Sequence, residues 1–286
     1  MNMHVALKFG YDGWLFEGYA NQNIKDPPRT VEGEVLKALG RLAGVKGNPE
    51  AVRKALAFGS SSRTDKGVCA IGNVMAFKLD MDPVTAIHAL NGMVDGCFFW
   101  AYATVPNDFQ PRHATARHYR YRIMDTYSNA GFKRMIEAGA EFLGEHDFKA
   151  FSTKDRSEPD KGTVREITDI RLRREGDMIQ LDLFSRSFLW HQIRKMVWAL
   201  DQVGRGKMDK NAIKALLAGK AAVTEMGLAP PEHLILMDVF YEGVKFKTVP
   251  NLRLETLADR KATIEAELAF IELASVAAPR CIKVKS

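Results

Sequence analysis

The sequence predicts an α+β protein of two subdomains, each a mixed or antiparallel sheet with helices packed on its outside. Three observations carry that expectation. Residues 3–105 read as strand, helix, strand, helix, strand, judged by where apolar residues alternate and where they recur three and four apart. Residues 105–112, Val-Pro-Asn-Asp-Phe-Gln-Pro-Arg, are polar and carry two prolines, which places a boundary there. Beyond it, strand, helix, hairpin and helix patterns alternate again. The expected division is 1–108, 109–245 and a C-terminal tail at 246–286.

Taken in order, Val5, Leu7 and Phe9 alternate with Ala6 and Lys8, as in a strand buried on one face. Thr30 is placed to cap a helix whose Val31, Val35, Leu39 and Leu42 share a face. Asn48-Pro49 repeats the cap signal, and Asp82-Pro83 opens a third helix with proline in its first turn. Cys97–Val105 is a nearly continuous apolar run, as in a buried strand. In Arg117–Ile123, a period of two puts Tyr119, Tyr121 and Ile123 on one face and His118, Arg120 and Arg122 on the other. A helix is expected over 131–143, and then a turn in which His146 and Asp147 serve as tethers. Residues 165–184 read as a hairpin turning at Glu175-Gly176-Asp177, with Arg171, Arg173 and Arg174 facing outward. That basic face is either a solvated edge or a phosphate-contacting surface. Leu189, Ile193, Met196, Leu200 and Val203 have helical spacing, which predicts a core helix with Arg194 at the shoulder of its apolar stripe. Leu234, Leu236 and Phe240 alternate as the inward face of a late strand, and residues 252–276 read as helical.

Composition narrows the function. The 286 residues are 46% apolar and 27% charged, ordinary for a globular protein. No apolar run reaches the ~20 residues of a membrane helix, and the first residues lack a signal-like pattern, so a cytoplasmic protein is expected. Three scattered cysteines form no C-x-x-C pair, which excludes a zinc motif and a disulfide framework, so no metal is expected. Neither G-x-G-x-x-G nor G-x-x-x-x-G-K-[ST] occurs, so no nucleotide cofactor is expected. A formal charge of +6 permits a polyanionic partner.

One stretch stands apart. Ser61-Ser62-Arg63-Thr64-Asp65-Lys66-Gly67-Val68 is a polar loop between two apolar segments, with one carboxylate between Arg63 and Lys66. Gly67 suits a backbone needing positive φ or a close approach. A carboxylate flanked by cations stays ionised, as a nucleophile or base requires. The same residues also make an ordinary surface turn.

The loop resembles the G-R-T-D-x-G-V-H motif of the TruA family of tRNA pseudouridine synthases, with Ser62 and Cys69 in place of the usual glycine and histidine. Three further stretches are similar to the same family, in order. Ala114–Arg122 resembles A-T-A-R-x-Y-R-Y, Phe188–Met196 resembles F-L-x-H-x-V-R-x-M, and Ala229–Val239 resembles A-P-x-x-G-L-x-L-x-x-V with His233 for glycine. The resemblance covers about residues 3–243 and implies the pseudouridine synthase fold with a central RNA-binding cleft.

It also implies roles. Asp65 would be the catalytic carboxylate, ion-paired by Arg194, and Arg63 would fill the stack that the flipped base vacates. Tyr119 and Leu234 would sandwich that base. Arg120, Arg171 and Arg173 are candidates for RNA backbone contacts. Further implications are a cofactor-free isomerisation of uridine to pseudouridine in the tRNA anticodon stem-loop, around positions thirty-eight to forty, and a homodimer. The rival is an RNA-binding protein of the same fold without the chemistry, for which Asp65 in its R-T-D-x-G setting would have no use. A hydrolase using Asp65 and His146 lacks a nucleophile motif and metal ligands.

Overall fold

The computed structural model describes residues 3–22, 24, 26–154, 162–221, 226–249 and 252. The first half runs β1 (Met3–Tyr11), α1 (Val31–Ala43), α2 (Pro49–Ala55), β2 (Gly59–Ser60), β3 (Cys69–Leu79), α3 (Pro83–Met93) and β4 (Cys97–Thr104). The second runs β5 (Ala116–Met124), α4 (Asn129–Gly139), β6 (Gly144–Asp147), β7 (Val164–Glu175), β8 (Met178–Ser185), α5 (Gln192–Gly204) and α6 (Lys210–Leu217). It closes with β9 (Leu234–Phe240) and β10 (Lys247–Thr248). The helical stretch expected at 252–276 lies outside the described residues apart from residue 252.

Apart from α5, which follows His191 without a side-chain cap, the α-helices begin where short polar side chains accept one of the first free N–H groups. Thr30 accepts from Gly33 at 3.2 Å, Asn48 from Ala51 at 2.9 Å, Asp82 from Thr85 at 2.9 Å and Asp209 from Ala212 at 2.8 Å. Each such cap contributes about 1 kcal/mol. His146 and Asp147 tether a turn, as expected: His146 meets the Leu143 carbonyl at 2.8 Å, and Asp147 accepts from the Lys149 amide at 2.9 Å.

All the strands join one sheet, in the order β10-β4-β1-β3-β9-β5-β8-β7-β6, with β2 beside β3. Every pairing is antiparallel except β3 with β9, where Cys69 faces Ile235 and Ala70 faces Leu236. Through that parallel pair and the antiparallel β9–β5 pair, residues 1–108 and 109–245 share a single sheet. Met1–Pro250 forms one compact unit by its contacts. The strand that joins the halves also carries Leu234 toward the loop of Asp65, so the site sits at the seam.

Four local expectations are corrected. β1 is buried on both faces: β3 and β4 pair with its two edges, and its polar side is covered too. There Lys8 ion-pairs with Asp238 and lies 5.0–5.8 Å from the Phe246, Trp100 and Phe240 ring centroids. α5 starts at Gln192, so Leu189 belongs to a preceding turn and not to the helical stripe. Phe240 is 41% exposed and outside the core. The β5–β9 register slips between His118 and Tyr119, so Leu236 faces Tyr119 but Asp238 faces His118. That bulge moves the end of β9 to the other side of the sheet. Finally, Arg174 shares a face with Ile170 and Leu172 and turns toward α4, ion-pairing with Asp125 and lying over the Phe132 ring.

The face of β5, β8 and β7 opposite Tyr119 gathers charge around one acid. Asp182 is buried and holds His118 at 2.7 Å, Arg120 at 2.8 Å and Arg173 at 3.2 Å. Burial alone would push its carboxyl up, but the hydrogen bonds and charges of His118 and Arg120 override that and hold it at about 2. A carboxyl depressed on folding stabilises above its unfolded pKa and loses that contribution as pH falls toward its folded value. The gap corresponds to stabilisation on the order of 2 kcal/mol. Between pH 5 and pH 2, wild-type stability should therefore fall by about that much more than in Asp182→Asn, as read by denaturant titration across the range. Parallel acid profiles would show that Asp182 does not drive the loss.

Candidate active site

The loop carrying Asp65 leaves β2 and enters β3, and it is fastened from several strands. Asn73 on β3 donates to the Ser62 carbonyl at 3.0 Å and to the Tyr11 hydroxyl at 3.2 Å, and it accepts from the Ser61 hydroxyl at 2.7 Å. Tyr11 on β1 meets the Thr64 hydroxyl at 2.9 Å. Gly67 has φ +84°, and a Cβ there would stand 3.2 Å from Pro231, so both backbone and space favour glycine.

Arg117 on β5 adds a brace that the sequence reading passed over. It is buried, and its guanidinium donates to the Ser62 hydroxyl at 3.0 Å, the Ser61 carbonyl at 2.9 Å, the Arg112 carbonyl at 3.0 Å and the Arg186 carbonyl. Burial lowers its pKa, yet four acceptors satisfy its donors. The period of two that puts Tyr119 inward puts Arg117 inward as well, which was the available signal. Ser62, where the family motif has glycine, supplies one of those acceptors. Cys69, where the motif has histidine, is buried and takes the Gly13 amide at 3.3 Å.

Asp65 faces the turn before α5 and the first turn of that helix. Arg194 Nη1 lies 2.9 Å from Oδ2, Trp190 Nε1 donates to Oδ1 at 3.1 Å, and His191 Nε2 stands 3.4 Å from Oδ2. Arg194 also donates from Nε to the Ala229 carbonyl at 2.7 Å, which ties α5 to the approach of β9. The loop cation Lys66, expected beside the carboxylate, instead pairs with Glu17 at 2.7 Å. The cation on Asp65 comes from a distant helix, because a neighbour one residue away points off the loop. Trp190 and His191 were missed because the reading extended the helix back across them.

Tyr119 is buried, with its ring edge-on to Phe188 at 5.3 Å, and Leu234 is buried two positions along the β5–β9 register. Burial raises the Tyr119 pKa and the negative charge of Asp65 adds to that, so its hydroxyl stays protonated at neutral pH. Arg63 is exposed on the loop. The site thus joins Asp65, Arg194, Tyr119, Leu234 and Arg63 around one loop. Arg120, Arg171 and Arg173 are not part of that group. By strand alternation they sit on the opposite sheet face, where Arg120 and Arg173 hold Asp182 and Arg171 pairs with Asp169. Among the described residues no group of three or more His, Cys, Asp or Glu could hold a metal ion.

A half-buried carboxylate held by two donors, Trp190 and Arg194, beside a buried tyrosine marks an enzyme site, since a binding surface gains little from immobilising an acid. A family model described as tRNA pseudouridine synthase matches residues 138–242. The tRNA pseudouridine synthase A of Pyrococcus furiosus is 37% identical over 86% of this chain and 86% of its own length. Those of Methanothermobacter thermautotrophicus and Methanosarcina mazei are 39% and 38% identical, over 85% and 84% of this chain and 82% and 85% of theirs. A solved Cbf5-Nop10-Gar1 complex overlaps only in part, at TM-score 0.32 and 13% identity over 60% of this chain and 40% of that chain. The chain is therefore a pseudouridine synthase by class. It belongs to the tRNA pseudouridine synthase A family.

Proposed function

We propose that this protein isomerises uridine to pseudouridine in the anticodon stem-loop of tRNA, using Asp65 and no cofactor. The observation that carries the reading is the Asp65 carboxylate, fixed by Arg194 and Trp190 at the seam of the sheet. The reaction breaks C1′–N1, rotates the base and joins C1′ to C5; C5 loses its proton and N1 gains one. Nothing is oxidised and no group is donated, so a single carboxylate suffices, whether it adds to the sugar or base or removes a sugar proton. The target must leave the stack, at a cost of a few kcal/mol. Arg63, exposed beside Asp65, is placed to fill the gap, and Tyr119 and Leu234 to flank the extruded base.

The test is tritium release from C5-labelled uridine in tRNA transcripts, with anticodon stem-loop uridines substituted one at a time and then all together. Release that survives loss of all those uridines would remove the substrate assignment. The protein is further expected to be a dimer by light scattering; a monomer with full turnover would remove that part.

Arginines on the Asp182 face supply charge for the phosphates outside the catalytic pocket. Affinity for tRNA should fall steeply with salt, and Arg171→Gln with Arg173→Gln should lower the log–log slope by roughly two at most. An unchanged slope would leave these side chains to Asp169 and Asp182 alone and put the footprint elsewhere.

A further inference from the structure

His191 has a geometry that a helix-preceding residue does not need. It has φ +64° and ψ 1°, left-handed values that among the described residues only one other non-glycine residue, Ala57, approaches in φ. A side chain with a Cβ meets steric resistance there, and such outliers persist where surrounding contacts impose them. The contacts are present. The Thr153 amide donates to the Trp190 carbonyl at 3.0 Å, the Lys195 amide to the His191 carbonyl at 3.0 Å, and Lys195 Nζ to the Ser152 carbonyl at 2.6 Å. The result of the strained turn is to aim the imidazole at Asp65, with Nε2 3.4 Å from Oδ2 and Nδ1 3.0 Å from the Thr153 hydroxyl.

The Thr153 contact accommodates the tautomer that faces Asp65. The Thr153 hydroxyl can donate to Nδ1, which leaves the proton on Nε2, pointing at the carboxylate. The charged groups acting on the ring are Asp65 from the β2–β3 loop and Arg194 and Lys195 from α5. Burial chiefly, then the two cations, disfavours a proton there, against the pull of Asp65, and the net direction is down. At neutral pH the imidazole is thus uncharged, and among the described residues Arg194 supplies the counter-charge to Asp65.

Resting on the function proposed above, we propose that His191 is a positioning residue for Asp65, an uncharged ring set against Oδ2 whose protonation switches the site off in mild acid. A second cation against Oδ2 would hold the carboxylate electrons back from the sugar or base. Turnover then declines as pH falls through the histidine titration.

The experiment compares wild type with His191→Asn, an amide residue that tolerates left-handed backbone. Tritium release, tRNA affinity, melting temperature and the pH profile of kcat are measured on both. The expected result is a loss of about tenfold in kcat at neutral pH, a barrier change of about 1.4 kcal/mol from a carboxylate that is less well placed. Affinity should be unchanged and melting temperature equal or higher, with the acid limb displaced to lower pH. Wild-type turnover with an unmoved acid limb would overturn the proposal. So would a kcat loss that tracks a lower melting temperature while the limb stays in place, since that is a merely structural role. If the Asn variant fails to fold, ¹⁵N NMR of wild-type His191 decides: an Nε2–H neutral tautomer titrating along with the acid limb supports the switch, and an Nδ1–H tautomer or a separate midpoint overturns it. Absence of tritium release by wild type on any tRNA would instead remove the proposed function, a distinct outcome.

Discussion

Asp65→Asn should abolish turnover, by roughly three orders of magnitude or more, while tRNA affinity stays within a few-fold. The side chains are isosteric and the loop keeps the anchors from Asn73, Tyr11 and Arg117, although the single amide oxygen can face Trp190 or Arg194 but not both. What is lost is the charge and basicity that either route through the carboxylate needs. Affinity resides in phosphate contacts made elsewhere on the surface. Tritium release and a filter-binding isotherm on the same transcript separate the two effects. Appreciable release by the Asn variant would sink the assignment of Asp65.

Arg194→Met should cost more through charge than through packing. The methionine nearly fills the volume of the arginine stem, so Ile193, Met196, Val197 and Leu200 of α5 keep their burial. Two polar groups lose a partner. The Ala229 carbonyl loses its 2.7 Å donor, worth about 1–3 kcal/mol if no water replaces it. Asp65 loses the only lysine or arginine paired with it among the described residues, so its ionised form is harder to reach. Turnover should fall by at least about a hundredfold at neutral pH, the scale of losing a charge-assisted contact of ~3 kcal/mol. It should recover in part as pH rises. Arg194→Lys should do better, because the charge survives although the fork that reaches both Asp65 and Ala229 does not. A methionine variant with wild-type turnover and an unchanged pH profile would detach Arg194 from the chemistry.

The elements were legible in the sequence where their causes are local. Thr30, Asn48 and Asp82 announce helix starts because a short polar side chain can satisfy the free amides within three residues. The turn at Gly176 and the alternation of β5 are visible for the same reason, since each depends on neighbours in the chain. Asp65 too was readable, from its loop setting and from the order of the motifs around it. Other features depend on pairing across the fold. Lys66 stands beside Asp65 in the chain but bonds Glu17, while the guanidinium on Asp65 comes from 129 positions away. A bulge of one residue between β5 and β9 turned Phe240 out and Asp238 toward Lys8, and no local pattern encodes where two strands slip. His191 reads as one more helical residue in sequence. Its left-handed backbone sits in a turn bonded to Thr153 of its own half, and the carboxylate that it faces arrives only when the sheet brings the two halves together.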